Sequence, residues 1–273
     1  MKMLWLRALA ATLLALGAAR GAQAVSLTFF GEDIGSGDGT GIRLLSTPQA
    51  DAAQASFLAS LVSGFSTEGF DGFSPGTPLA ALPALTFSQP SGSVTATLTG
   101  PGFVAAELAP QTANASGQYP ISPHNYISTA SAPATLASLA LSLTFSQPQS
   151  AFGFYGVDIG DFNGQVALDF GLAAGGMLRV DVPHTQAAPG GSALYFARID
   201  TDHPFTSVTF LSTTGLDNLA FDNFTIASGS QVISSGLPTP GVGQPVPEPN
   251  TFILLGSGLM LVGLLGWWRS SRR

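Results

Sequence analysis

The chain has 273 residues and no cysteine, and it carries nine Lys or Arg against sixteen Asp or Glu, for a net charge of −7. This excludes a disulfide-stapled scaffold and argues against a nucleic-acid ligand, because an acidic surface repels polyanions. Charged residues make up only 9% of the chain while 33 are Gly and 19 are Phe, a balance that suits short strands and turns better than helices.

The N-terminal residues read as a secretory signal peptide over 1–24. Lys2 and Arg7 precede an apolar stretch from Ala8 to Ala19, too short for a comfortable span, and Ala22-Gln23-Ala24 is an A-x-A cleavage site. Val25 is then the new N-terminus. Of the basic residues only Arg43, Arg179 and Arg198 lie between Val25 and Val246, against fifteen acidic ones, a balance of −12.

Val25–Phe30 alternates as a strand and runs into GEDIGSGDGTG, Gly31–Gly41, which holds Glu32, Asp33 and Asp38. This loop lacks the D-x-D-x-D-G order and distal Glu of an EF-hand, and it fails G-x-G-x-x-G because Thr40 stands at the last Gly position. Pro48–Val62 predicts the one helix of the exported region, capped by Thr47 and ended by Gly64, with Phe57, Leu58, Leu61 and Val62 on one face. Gly72-Phe73-Ser74-Pro75-Gly76 fits the G-x-S-x-G pattern of a nucleophile elbow. Pro75, however, stands where a backbone N–H must build the oxyanion hole, and proline has none.

From Ala80 onward strands are predicted. Ala84–Phe87 and Ser93–Thr99 come first, and the hexapeptide LTFSQP occurs at Leu85–Pro90 and again at Leu143–Pro148, suggesting two equivalent corners that Pro90 and Pro148 close. Between them Pro110–Pro133 is a polar connection bearing Tyr119, His124 and Tyr126, which are candidates for stacking on and hydrogen bonding to a glycan. Ala151–Val157, Gln165–Phe170, Met177–Val182, Ala193–Ile199, Ser207–Leu211 and Leu219–Ile226 are then short aromatic and β-branched runs separated by turns, with no intervening helical pattern. The fold class that follows is mainly β: an antiparallel, jelly-roll-like β-sandwich over 25–226 with one short helix, flanked by an N-terminal signal helix and a C-terminal transmembrane helix.

No activated nucleophile is legible, so the chain reads as a non-enzyme. The alternative is a secreted glycan-active hydrolase built on carboxylates, for which Asp200, Asp202 and His203 offer one acid–base pairing. Asp158, Asp161 and Asn163 in VDIGDFNG read as an Asx-rich turn.

After a Ser, Gly and Pro linker over 227–246 the chain ends in VPEPNTFILLGSGLMLVGLLGWWRSSRR. Pro247, Glu248 and Pro249 precede an uncharged run, Thr251–Trp268, that as a helix reaches about 27 Å, close to one hydrocarbon thickness. Trp267 and Trp268 suit the headgroup boundary, and Arg269, Arg272 and Arg273 hold the end on the cytoplasmic side. This order of box, span and arginine cluster over 247–273 resembles the PEP-CTERM sorting signal of Gram-negative bacteria. The resemblance implies exosortase as partner, inner-membrane anchoring before processing, and a surface or exopolysaccharide-matrix destination afterwards. The segments AFGFYGVDIGDFNGQ, ARIDTDHPFTSVTF and LDNLAFDNFTI are also similar to sandwich ectodomains of that family. In addition, Phe70-Asp71 and Phe221-Asp222-Asn223 resemble the positions at which jelly-roll carbohydrate-binding and adhesion modules hold a structural calcium, so Asp71, Asp222 and Asn223 are candidate ligands.

Overall fold

The computed structural model describes residues 25–37, 43–107, 112–114, 116–129, 140–161, 163–212 and 218–233. The signal-peptide positions Ala22 and Ala24, the span Thr251–Trp268, and Pro247, Glu248, Pro249, Arg269, Arg272 and Arg273 lie outside the described residues. Among the described residues no helix is long and apolar enough to cross a membrane.

The strands are β1 (Ser26–Asp33), β2 (Ser66–Glu68), β3 (Leu85–Gln89), β4 (Gly92–Thr99), β5 (Phe103–Ala106), β6 (Asn125–Ser128), β7 (Ala140–Gln149), β8 (Ala151–Val157), β9 (Val166–Leu172), β10 (Met177–Asp181), β11 (Ala193–Asp200), β12 (Phe205–Ser212) and β13 (Ala220–Ala227). They form two antiparallel sheets. One has seven strands in the order β1-β11-β8-β13-β6-β5, with β2 also paired to β13, and the other has six in the order β10-β9-β12-β7-β4-β3. The predicted sandwich is the observed fold, and the expected strands of the second half all form.

Phenylalanine fills the space between the sheets. Phe87, Phe152, Phe154, Phe196, Phe210, Phe221 and Phe224 are all fully buried in one cluster. Phe210 sits at its centre, with ring centroids 4.6 Å from Phe221 and 4.9 Å from Phe154. Each such ring contributes about 1.5–3 kcal/mol by leaving water, which is how a domain without disulfides holds together. Phe221 and Phe224 both face this core although three positions apart, against the period of two. Asn223 adopts φ 52° and the pairing of β13 to β8 shifts register between Asp222 and Thr225, so a β-bulge re-aims the strand.

The outer face of the seven-stranded sheet is covered in two halves. The helix α1 (Pro48–Ala59) packs Phe57 on Phe29, Tyr155 and Tyr195. Ala113 and Tyr119 of the connection before β6 join Tyr126 over Val157, Ala193 and Ala220. The helix is shorter than expected. It ends at Ala59, and Leu61 instead pairs with Val232 in an isolated bridge. Thr47 does not cap it either; its hydroxyl donates to the Asp51 carboxylate. The acceptor for the first turn is Asp33 at the end of β1, which takes N–H bonds from Gln49 at 3.1 Å and Ala50 at 3.0 Å.

Two boundaries also move. The body continues past Ile226 through a 3-10 turn at Gly229–Gln231, and the Ile233 N–H donates to the Ser60 carbonyl, so residues 227–233, expected as linker, pack with the folded body. The LTFSQP pair forms β3 and part of β7, both hydrogen-bonded to β4, but Pro148 lies inside β7 instead of ending it.

Candidate functional site

Two surfaces carry chemistry: the polar seam where the covers of the seven-stranded sheet meet, and the open face of the six-stranded sheet. At the seam Asp222 projects from β13 on the side of Ala220, away from the inward Phe221. It is 1% exposed. Its oxygens accept the N–H groups of Ile121 at 2.8 Å, Ser122 at 2.6 Å and Asn223 at 2.7 Å, and the Ser122 hydroxyl at 3.0 Å. Burial pushes its carboxyl up to about 7 against the opposing pull of those N–H groups.

Asp71 grips the same segment from the other end. Its Oδ1 accepts the N–H of His124 at 3.0 Å and of Asn125 at 2.8 Å. The neighbouring turn is held in an unusual conformation, with Phe70 at φ 61°, a left-handed geometry tolerated because its ring is fully buried edge-on to Phe224 at 5.2 Å. The amide of Asn125 donates to the Phe70 and Phe73 carbonyls, closing the network.

Asp71 and Asp222, both expected as calcium ligands, each accept main-chain N–H groups of the same short segment. They clamp residues 121–125, and the Asp222 oxygens are already taken by N–H and O–H donors rather than left open for a cation. Asn223 stands at the bulge, its Oδ1 close to Gly69. Among the described residues no group of three or more His, Cys, Asp or Glu is arranged so that it could hold a metal ion.

The glycan-contact candidates divide. Tyr119 and Tyr126 are 1% and 2% exposed, so neither ring offers a face to a sugar. The Tyr119 hydroxyl donates to the Gly191 carbonyl at 2.8 Å, and Arg43 lies 5.0 Å over its ring while bonding Glu107 and the Pro120 carbonyl. Burial raises both phenols, that of Tyr126 to about 12, so they stay neutral donors. Of the three only His124 is exposed. The expected surface loop is a cover because its polar groups find fixed partners: Asn114 bonds Gln118 and Tyr126, and Gln118 reaches the Asn218 carbonyl.

The remaining candidates are structural too. Glu32 accepts the N–H and hydroxyl of Thr185, so the acidic pair of the Gly-rich loop serves a turn and a helix end. Asp158, at φ 64°, accepts the Gly191 N–H. Asp200 takes Arg198 at 2.6 Å and the His203 ring at 3.1 Å, and of the three only His203 is exposed. Ser74 lies in a turn, its carbonyl accepting the Thr77 N–H.

The six-stranded sheet presents a surface that motif reading missed. The outward positions of β3, of β4 from Ser93 to Thr99 and of β7 from Ser142 to Ser146 are Ser or Thr: Thr86 and Ser88, then Ser93, Thr95, Thr97 and Thr99, then Ser142, Thr144 and Ser146. The register sets these hydroxyls in rows, Thr86 opposite Thr95, and Thr97 opposite Thr144, itself opposite Ser207. A further row runs Thr99, Ser142, Thr209, Asp169, Arg179, in which Ser142 and Thr209 bond each other and Arg179 grips Asp169 bidentately at 2.8 Å. The signal was in the sequence as alternate hydroxyls in SVTATLT and LSLTFS, but it looked like ordinary strand polarity.

A family comparison decides the nature of the C-terminus. Residues 245–273 match the model of the PEP-CTERM protein-sorting motif. The chain carries a PEP-CTERM sorting signal. The signal implies export, C-terminal membrane anchoring before processing, and exosortase as the processing partner. No curated protein matches the chain. Two solved structures similar to it are a "Xylan-Binding Domain from CBM 22, formally x6b domain" (15% identity, 63% of this chain and 99% of that one, TM-score 0.36) and the C-terminal family 22 carbohydrate binding module of Clostridium thermocellum Xyn10B (14% identity, 64% and 99%, TM-score 0.35).

Proposed function

We propose that this protein is exported, held by its C-terminus until an exosortase processes it, and then serves the cell surface or its exopolysaccharide matrix as a non-catalytic binding or structural sandwich. The observation that carries this reading is the sorting motif at 245–273. The chemistry of the folded part supports the second half. The buried carboxylates Asp158 and Asp222 accept main-chain N–H groups, and Asp200 is taken up by Arg198 and His203, so none of the three is free to act on a substrate.

Cell fractionation with and without a functional exosortase tests it. Without the enzyme the intact chain stays in the membrane fraction; with it a shortened product reaches the surface or medium. Intact chain dissolved in the cytoplasm would refute the assignment, and polysaccharide cleavage by the purified protein would refute the non-catalytic role.

A further inference from the structure

The two faces of the sandwich that look outward are unequal. That of the seven-stranded sheet lies under α1 and the Tyr119 segment, and the last described residue, Ile233, donates its N–H to the Ser60 carbonyl in that same layer. Among the described residues nothing comparable covers the six-stranded sheet, whose outward face is open. On that face Thr86, Thr95, Thr97 and Thr144 are exposed.

We propose that this hydroxyl face is the docking surface for a neutral, extended polysaccharide, a proposal that deepens the surface-protein reading and rests on it. The argument is one of charge and hydrogen-bonding type. Residues 25–246 carry fifteen acidic groups against three basic, yet the acids on the outward positions of this sheet are Asp169, neutralised by Arg179, and Asp181 at the β10 edge. A polyanion is repelled by the molecule as a whole. A polycation finds at the edge a net charge of only about −1, from Asp169 and Asp181 against Arg179, and a lipid surface finds too little apolar area. What the rows do offer is hydroxyls, each both donor and acceptor. They are spaced about 4.8 Å across strands and about 6.7 Å along them, on short side chains that lose little freedom when they bind. A polymer of sugar hydroxyls is matched group for group.

A single sugar gains little here, because no aromatic ring lies at these outward Ser and Thr positions, so binding draws on many weak contacts along one chain and rises with polymer length. The twist of a six-stranded sheet favours a flexible, hydrated polymer over a flat crystalline surface.

The test uses the full chain in detergent micelles, with a long soluble β-glucan, its short oligomers and a polyuronate as probes. Wild type binds the long glucan at least about tenfold more tightly than the oligomers and does not bind the polyuronate. The combined substitution Thr86→Val, Thr97→Val, Thr144→Val keeps strand-favouring shapes while deleting three hydroxyls, and lowers glucan affinity at least about tenfold. Ser56→Ala with Ser63→Ala on the helix side leaves it unchanged. If the triple variant melts early, the single change Thr97→Asp, which adds one exposed charge, is read in its place. Undiminished glucan binding by the triple or Asp variant, or preference for the polyuronate, overturns the proposal. Localisation scores the underlying reading separately: a chain that reaches the surface and ignores β-glucan sinks the hydroxyl face alone, while a cytoplasmic chain sinks both.

Discussion

Replacing Asp222 with Asn tests whether the seam is a clamp. The carboxylate accepts on both oxygens, Ser122 Oγ and Asn223 N at Oδ1 and Ile121 N and Ser122 N at Oδ2. An amide has one acceptor oxygen and one NH2: placed at Oδ2 the NH2 would face two main-chain N–H groups, and placed at Oδ1 it faces the Asn223 N–H alone, because the Ser122 hydroxyl can turn its proton to the Gly69 carbonyl. With an unsatisfied buried donor costing about 1–3 kcal/mol, Asp222→Asn in that better orientation loses about 2 kcal/mol. The pH dependence supplies a sharper signature. Burial raises the folded carboxyl from 3.8 to about 7, so the folded state holds a proton that the unfolded state has released. The stabilisation from Asp222 is therefore fully present below pH 3.8 and is lost as pH rises through about 7. Between pH 5 and 8 wild type should lose about 3 kcal/mol from this group, and Asp222→Asn none of it, so the difference between them shifts in favour of the variant as pH rises. Urea unfolding of the full chain at the two pH values reads both numbers, and amide exchange at Ile121 and Ser122 reports the clamp directly. A variant as stable as wild type at both pH values would refute the reasoning.

Other expectations follow from the core, the helix end and the donor set of the seam. Phe210→Ala opens the centre of the inter-sheet cluster and should cost about 4 kcal/mol, lowering Tm by about 12 °C for a domain of this size; a fall under about 3 °C would show that the rings repack. Asp33→Ala leaves the first turn of α1 without its acceptor, and the urea midpoint should drop by an amount worth about 1 kcal/mol at unchanged slope. Because N–H and O–H donors already take the Asp222 oxygens, millimolar calcium or a chelator should leave Tm within about 1 °C; a rise of several degrees with calcium would mean the ion binds the folded chain.

Much of the architecture was readable. Strands such as Ser93–Thr99 and Ala193–Ile199 announce themselves because the period of two is written in neighbouring residues. The break at Asn223 was not readable, since a bulge is decided by what the flanking strands require: β13 must turn Phe221 and Phe224 to one core while pairing β6 on one stretch and β2 on the next. The helix end failed for the same reason. Thr47 has the local chemistry of a cap, but Asp33 arrives from another element with a full charge and takes the position. The Tyr119 and Tyr126 rings looked available because a polar, Pro-rich stretch normally runs over the surface. The hydrogen-bond partners that hold it down, among them Gly191 and Asn218, lie up to 100 positions away.

What the sequence by itself determined is the class of the chain: a strand-rich body free of cysteine and a terminal sorting signal, both of which depend on contiguous residues. Only the tertiary structure decided what the acids do and which surface stays open. Asp222 and Ile121 are 101 positions apart, and a carboxylate becomes a ligand, a catalyst or a clamp according to which donors the fold brings against it.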